Sequence, residues 1–146
     1  MQRNEETIND GMDLTLITFD SKNFVVEFAG AYNSLYVVRK GEVFTYKGDR
    51  FPIGMSSLQA KKSFQTQLVD IQPGDMLYMS SDGYADQFGM DGKKYKSGNV
   101  KKLLSEIWDL PICAQRDRLK KEILDWRGEQ PQIDDIMFLG TKIPER

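Results

Sequence analysis

The chain has 146 residues, 40% hydrophobic and 29% charged, with a formal net charge of −2, one cysteine and no histidine. That length suits a single domain (residues 1–146) burying roughly two-thirds of its extended surface, and the small net charge offers no whole-domain field for nucleic acid. The lone Cys113 excludes an internal disulfide, as suits a reducing, cytoplasmic setting, and the missing histidine removes His-dependent nucleophile systems and most zinc sites.

The opening "MQRNEETIND" is polar and no apolar run reaches about 18 residues, which excludes a membrane span and a secretory signal within these residues. Residues 14–19, "LTLITF", are apolar or Thr on both faces, as in a strand covered on both sides. After the turn "DSKN" comes "FVVEFA", with Phe24, Val26 and Phe28 on one face. "LYVV" and "VFTY" flank "RKGE" and predict a hairpin turning at Gly41. Residues 47–63 read as loop, and "FQTQLVDI" as a weaker strand with Phe64 and Leu68 facing inward.

The turn "QPGD" leads into "MLYMS", apolar on both faces, and then into "SDGYADQFG". A long loop over residues 86–99 precedes two helices. Val100, Leu103, Leu104, Ile107 and Trp108 form a helical stripe that stops before Pro111; Leu119, Ile123, Leu124 and Trp126 form a second, closed near Gly128. Cys113 is expected as a small core residue on or near a helix. The last strand is placed over residues 136–141. Strands first and helices late predict an α+β domain, layered and rich in antiparallel pairing.

Without histidine, chemistry near neutral pH falls to carboxylates, a metal, Lys or Tyr, and all-oxygen ligands select magnesium, manganese or calcium. "SSDGYAD" ends one apolar run in acid; "QIDDIMFLG" begins another in acid. Taken singly, Ser81-Asp82-Gly83 is an ordinary turn and Asp134-Asp135 a solvated loop. Were the two runs antiparallel neighbours in mid-sheet, about 4.8 Å apart, Asp82 and Asp134 would converge at one sheet end. Neither motif contains Lys or Arg, so a shared cation would relieve their repulsion. An EF-hand does not fit, because "DQFGMDGKKYKS" lacks the required acids and the closing Glu. Lys93, Lys94, Lys96, Lys101 and Lys102 form a basic cluster that reads either as a solvated face or as an attraction for a phosphorylated partner.

Four motifs in order, "FAGAYNSLYVVRKGE", "FPIG", "IQPGDMLYMSSDGYADQFG" and "QIDDIMFLG", resemble the PPM-type metal-dependent protein phosphatases (the protein phosphatase 2C superfamily), in their SpoIIE-like branch. The resemblance runs from about residue 10 to residue 143. It implies a layered α-β-β-α sandwich and hydrolysis of phosphoserine or phosphothreonine on a protein. Two Mn²⁺ or Mg²⁺ ions would activate a bridging water in that scheme. By resemblance Asp82 and Asp134 are metal ligands, with no catalytic residue beyond the ligands. Asp135 orients the site, Asp86 lies near a looser additional metal, and Gly83 allows close backbone approach. Met137 replaces the usual Thr.

The family's upstream bridging Asp and Gly-His-Gly have no counterpart here, and Asp10-Gly11 is not one. The sequence therefore resembles the carboxyl-terminal two-thirds of the domain, incomplete at its amino-terminal side and inactive alone. In the complete domain the partner would be a phosphorylated signalling protein such as an anti-sigma-factor antagonist. The alternatives are a catalytically silent interaction or regulatory module of the same fold, and a β-rich structural domain. Uncovered strands at 14–19 and 24–29 lead us to expect self-association that does not depend on residues 1–10.

Overall fold

The computed structural model describes residues 11–54 and 62–145. The polar opening segment with Asp10, and part of the loop expected over 47–63, lie outside them. Strand β1 (Leu14–Asp20) pairs antiparallel with β2 (Val25–Ala31), which pairs with the short β5 (Gln67–Val69). A second sheet has the order β4 (Glu42–Tyr46), β3 (Leu35–Arg39), β6 (Met76–Ser80), β7 (Phe138–Lys142), again antiparallel throughout. Helices α1 (Gly83–Asp86), α2 (Lys96–Ile107) and α3 (Ile112–Arg127) complete the α+β architecture.

Turns fix the registers. Asp20 accepts hydrogen bonds from the backbone N–H groups of Lys22 and Asn23, closing the β1–β2 hairpin. Lys40 and Gly41 both take positive φ (50° and 84°), the two-residue turn whose twist matches its flanking strands, and Arg39 faces Glu42 across it. Gly128, at φ 56°, ends α3 by donating its N–H to the Leu124 carbonyl.

Two apolar layers follow from these registers. Val26, Phe28, Leu35, Val37, Val69, Leu77 and Ile143 form the core between the sheets. Tyr36, Val38, Met76 and Tyr78, on the other face of the four-stranded sheet, meet Val100, Leu103, Leu104 and Ile107 of α2 and Leu119 and Ile123 of α3. The α2 stripe is as the spacing predicts. On α3 the inward line is instead Gln115, Leu119 and Ile123, leaving Leu124 44% exposed, because i, i+4, i+8 spacing turns position 124 off that face. Gln115 is tolerated inside because its amide donates to the Trp108 and Leu110 carbonyls and accepts from the Tyr78 hydroxyl. Cys113 lies in the first turn of α3 but is exposed, not in the core.

Three strand expectations and one loop expectation need correction. Leu68 is exposed and Phe64 partly so; the inward residue of β5 is Val69, opposite Val26. A one-residue shift of face accounts for this. Strand β1 is not covered on both sides: as an edge strand it leaves Leu16 and Phe19 exposed. Nor is the last strand central. It starts two residues later than expected and is the edge of its sheet, with Leu139 exposed. Finally, the loop expected over 86–99 is interrupted by α2, which begins at Lys96.

One ion pair ties the sheets' connections together. Asp75, 2% exposed, accepts from Arg39 Nε and Nη2 and from the Gln72 N–H, while Arg39 Nη1 reaches Asp70 at 3.0 Å. These bonds raise the Arg39 pKa further above its usual value, Asp75 being the main cause. Asp75→Ala would leave the guanidinium with Asp70 alone, and we expect a loss of about 1.5–3 kcal/mol, measured by urea unfolding.

Candidate functional site

The acids meet because β6 and β7 are antiparallel neighbours with Ser80 opposite Phe138. The exit of β6 thus lies beside the entrance of β7, as the mirrored motifs predict. Past β6 the chain turns at once into α1, a single helical turn begun at Asp82 and not foreseen in the sequence. The Asp82 side chain makes no capping hydrogen bond, so its carboxylate is not consumed by the helix it starts. Asp86 ends that turn, its N–H donating to the Asp82 carbonyl at 2.9 Å.

Gly83 is needed where the two segments touch. A Cβ there would collide with the Asp135 carbonyl oxygen and sit 3.0 Å from its carbon. Ser81 joins the same two segments: its N–H donates to the Met137 carbonyl at 3.0 Å, its Oγ donates to the Asp135 carbonyl at 2.7 Å, and the Met137 N–H donates to Oγ at 2.9 Å. Asp134 Oδ1 accepts the Asp135 N–H at 2.7 Å. Met137 itself is exposed, at the strand entrance rather than inside the strand.

Electrostatics mark the convergence. Burial first, then the charges of Asp134, Asp13 and Asp86, push the Asp82 carboxyl above its ordinary value of 3.8. Asp86 has a cation of its own: Lys94 Nζ lies 3.2 Å from its Oδ1. Lys93 is paired with Asp91, so two members of the basic cluster are engaged locally. Sequence reasoning missed Asp13, although it stands immediately before an apolar strand as Asp134-Asp135 does. It also missed Ser81, whose carbonyl partner lies 54 positions away.

The donor set fits an oxygen-ligated divalent cation only in part. Asp82 and Asp134 offer carboxylates at one rim, yet no group of three or more potential metal-ligating side chains exists among the described residues. A separate apolar cleft of about 260 Å³, between α3 and the β6–β7 face, is lined by none of these acids. No helix among the described residues is long and apolar enough to cross a membrane.

The family profile described as Stage II sporulation protein E (SpoIIE) matches residues 2–144. No curated protein matches the sequence. Among solved structures, the SiaA-PP2C domain of Pseudomonas aeruginosa is 31% identical, with a TM-score of 0.82, covering 90% of this chain and 51% of that one. The phosphatase domain of SpoIIE from Bacillus subtilis, in its Mn-presoaked form, is 16% identical with a TM-score of 0.70, covering 92% and 57%. The Mycobacterium tuberculosis serine/threonine phosphatase PstP/Ppp is 17% identical with a TM-score of 0.60, covering 92% and 61%. The last two likenesses concern the fold. The chain spans between half and about three-fifths of the length of these relatives.

Two outcomes follow from the close packing and the raised acid. Gly83→Ala should cost about 1–3 kcal/mol in urea unfolding, since the backbone of residue 135 has to move. A carboxyl whose folded pKa exceeds its unfolded one loses stability for the fold as pH rises from about 3.8 through the folded value. Asp82→Asn should therefore raise the melting temperature at pH 7 with EDTA present, and flatten the decline over that window. A lowered melting temperature would mean that the Asp82 charge supports the metal-free fold.

Proposed function

Because the chain belongs to the SpoIIE family and has the fold of PP2C phosphatase domains, we propose that it forms the metal-ligating carboxyl-terminal part of a protein phosphatase. The reaction is hydrolysis of phosphoserine or phosphothreonine on a protein. One observation carries this reading: antiparallel β6 and β7 bring Asp82 and Asp134 close enough for the second to raise the pKa of the first.

Asp82 and Asp134 would hold Mn²⁺ or Mg²⁺, with Asp135 and Gly83 shaping the rim. When bound, such an ion supplies Lewis-acid stabilisation of charge on a phosphoryl group and lowers the pKa of a coordinated water. The residues of this chain then act by position. Asp82, free of capping duty, presents its oxygens at the end of β6, and Asp134 presents the oxygen not engaged by the Asp135 N–H. Neither transfers a proton. Lys94 neutralises Asp86, which supports giving Asp86 an accessory role. A phosphorylated signalling protein, such as an anti-sigma-factor antagonist, is the partner in this reading. The setting is the cytoplasm.

A second reading, the catalytically silent module, is favoured by the finding that no group of three or more potential metal-ligating side chains gathers among the described residues. Manganese-dependent hydrolysis of an aryl phosphate separates the two. The 146-residue chain alone should turn over little, lacking a bridging carboxylate. Joined to an upstream segment carrying that carboxylate and Gly-His-Gly, it should become active, and Asp82→Asn or Asp134→Asn should each abolish activity. Continued inactivity of the joined protein with Mn²⁺ bound would favour the silent module.

A further inference from the structure

The hydroxyl of Ser81 has no place in the ligand set, yet it is the point where the two acid motifs are bonded together. Its oxygen donates to the Asp135 carbonyl and accepts from the Met137 N–H, 2.7 and 2.9 Å away. The N–H of Asp135 in turn holds Asp134 Oδ1 at 2.7 Å. Residue 135 is therefore gripped at both ends, its carbonyl by Ser81 and its N–H by the Asp134 carboxylate. A continuous path of hydrogen bonds runs from the end of β6 to the side chain at the entrance of β7. Ser81 also keeps its own N–H on the Met137 carbonyl, so both edges of the segment 135–137 are tied to one residue.

We propose that Ser81 is a positioning residue, which sets the approach of the Asp134 carboxylate to Asp82 and thereby the affinity of the pair for a divalent cation. This rests on the metal reading of Asp82 and Asp134 given above. Only a hydroxyl meets the geometry, because the same atom has to donate to one peptide and accept from another. Threonine preserves both bonds and alanine neither. The bonds lie in solvent-exposed surroundings, so water can replace them without unfolding the chain, and what is lost on substitution is alignment. Partners that orient ligands in this way typically affect metal affinity by about 10–100-fold.

The test compares wild type, Ser81→Ala and Ser81→Thr. Free Mn²⁺ is counted by its EPR signal during titration of the 146-residue chain, and hydrogen exchange of the Met137 amide is followed without metal. Ser81→Ala should weaken Mn²⁺ binding about tenfold, speed exchange at Met137, and lower the melting temperature by only about 2–4 °C. Ser81→Thr should restore affinity and protection together. Unchanged Mn²⁺ affinity in Ser81→Ala, or a loss that Ser81→Thr does not rescue, would overturn the proposal. If wild type binds no Mn²⁺, the metal reading fails for the isolated chain and the proposal, which concerns that affinity, falls with it. Equal Met137 exchange in all three proteins would refute the positioning contact independently.

Discussion

The contact between the end of β6 and the start of β7 is the constraint from which the site follows. Five residue pairs set the register, from Met76 with Lys142 to Ser80 with Phe138. A slip of one residue would turn Phe138 away from Tyr78 and Tyr84, with which it now makes edge-to-face contacts at 6.2 and 5.3 Å between ring centroids. Such aromatic pairs contribute roughly 0.5–1.5 kcal/mol each beyond buried area. The register that satisfies the rings is also the one that lets Asp135 pass over Gly83 without a Cβ in the way. Packing in the core thus decides where the acids stand at the rim.

Behind that contact the fold is built to stay still. Tyr84, one residue after the glycine, is buried and donates its hydroxyl to the Leu119 carbonyl of α3 at 2.8 Å. Its ring meets Tyr95 at the start of α2, and Tyr95 meets Trp126 of α3. Burial raises the hydroxyl pKa of both tyrosines, so each remains a neutral hydrogen-bonding group throughout the range in which aspartates titrate. Trp126 in turn donates to the Gln87 carbonyl at 3.1 Å. The single turn of α1, too short to be stable by itself, is thereby fastened to both long helices.

What could be read from the sequence tracks how local each signal is. The run Met76–Ser80 was legible to the residue because it is apolar on both faces and bounded by turn chemistry. The same holds for the hairpin at Gly41 and the α2 stripe. Val69 and Leu124 were misjudged because neighbouring apolar residues share a pattern, and the choice between faces is made by a partner strand or helix far away in sequence. Asp82 and Asp134 were legible as a pair because acids flanked two strands in mirror order. Ser81 was not, since a single hydroxyl carries no periodic signal and its bonding partners are more than fifty residues distant. Asp13 repeats the pattern of acid before strand, but with one acid and no second motif it did not stand out.

Placing the acids at the rim resolves a conflict between folding and binding. Without a cation, Asp82 is raised in pKa by burial and by three other aspartates, so the site works against the fold. Deeper burial would sharpen that penalty to several kcal/mol per uncompensated charge. At the exposed end of a sheet, water screens most of it, and the aromatic cluster and the Arg39–Asp75 pair hold the scaffold without help from the acids. The same exposure limits what two carboxylates can do alone. Mg²⁺ asks for about six oxygen ligands in a near-octahedral shell, and Asp82 with Asp134 can fill only part of it. In that reading the remaining oxygens would have to come from water or from other carboxylates brought to the rim. In the metal reading proposed above, the two carboxylates would therefore be a fraction of a coordination shell, and the strength of binding would be left to whatever completes it.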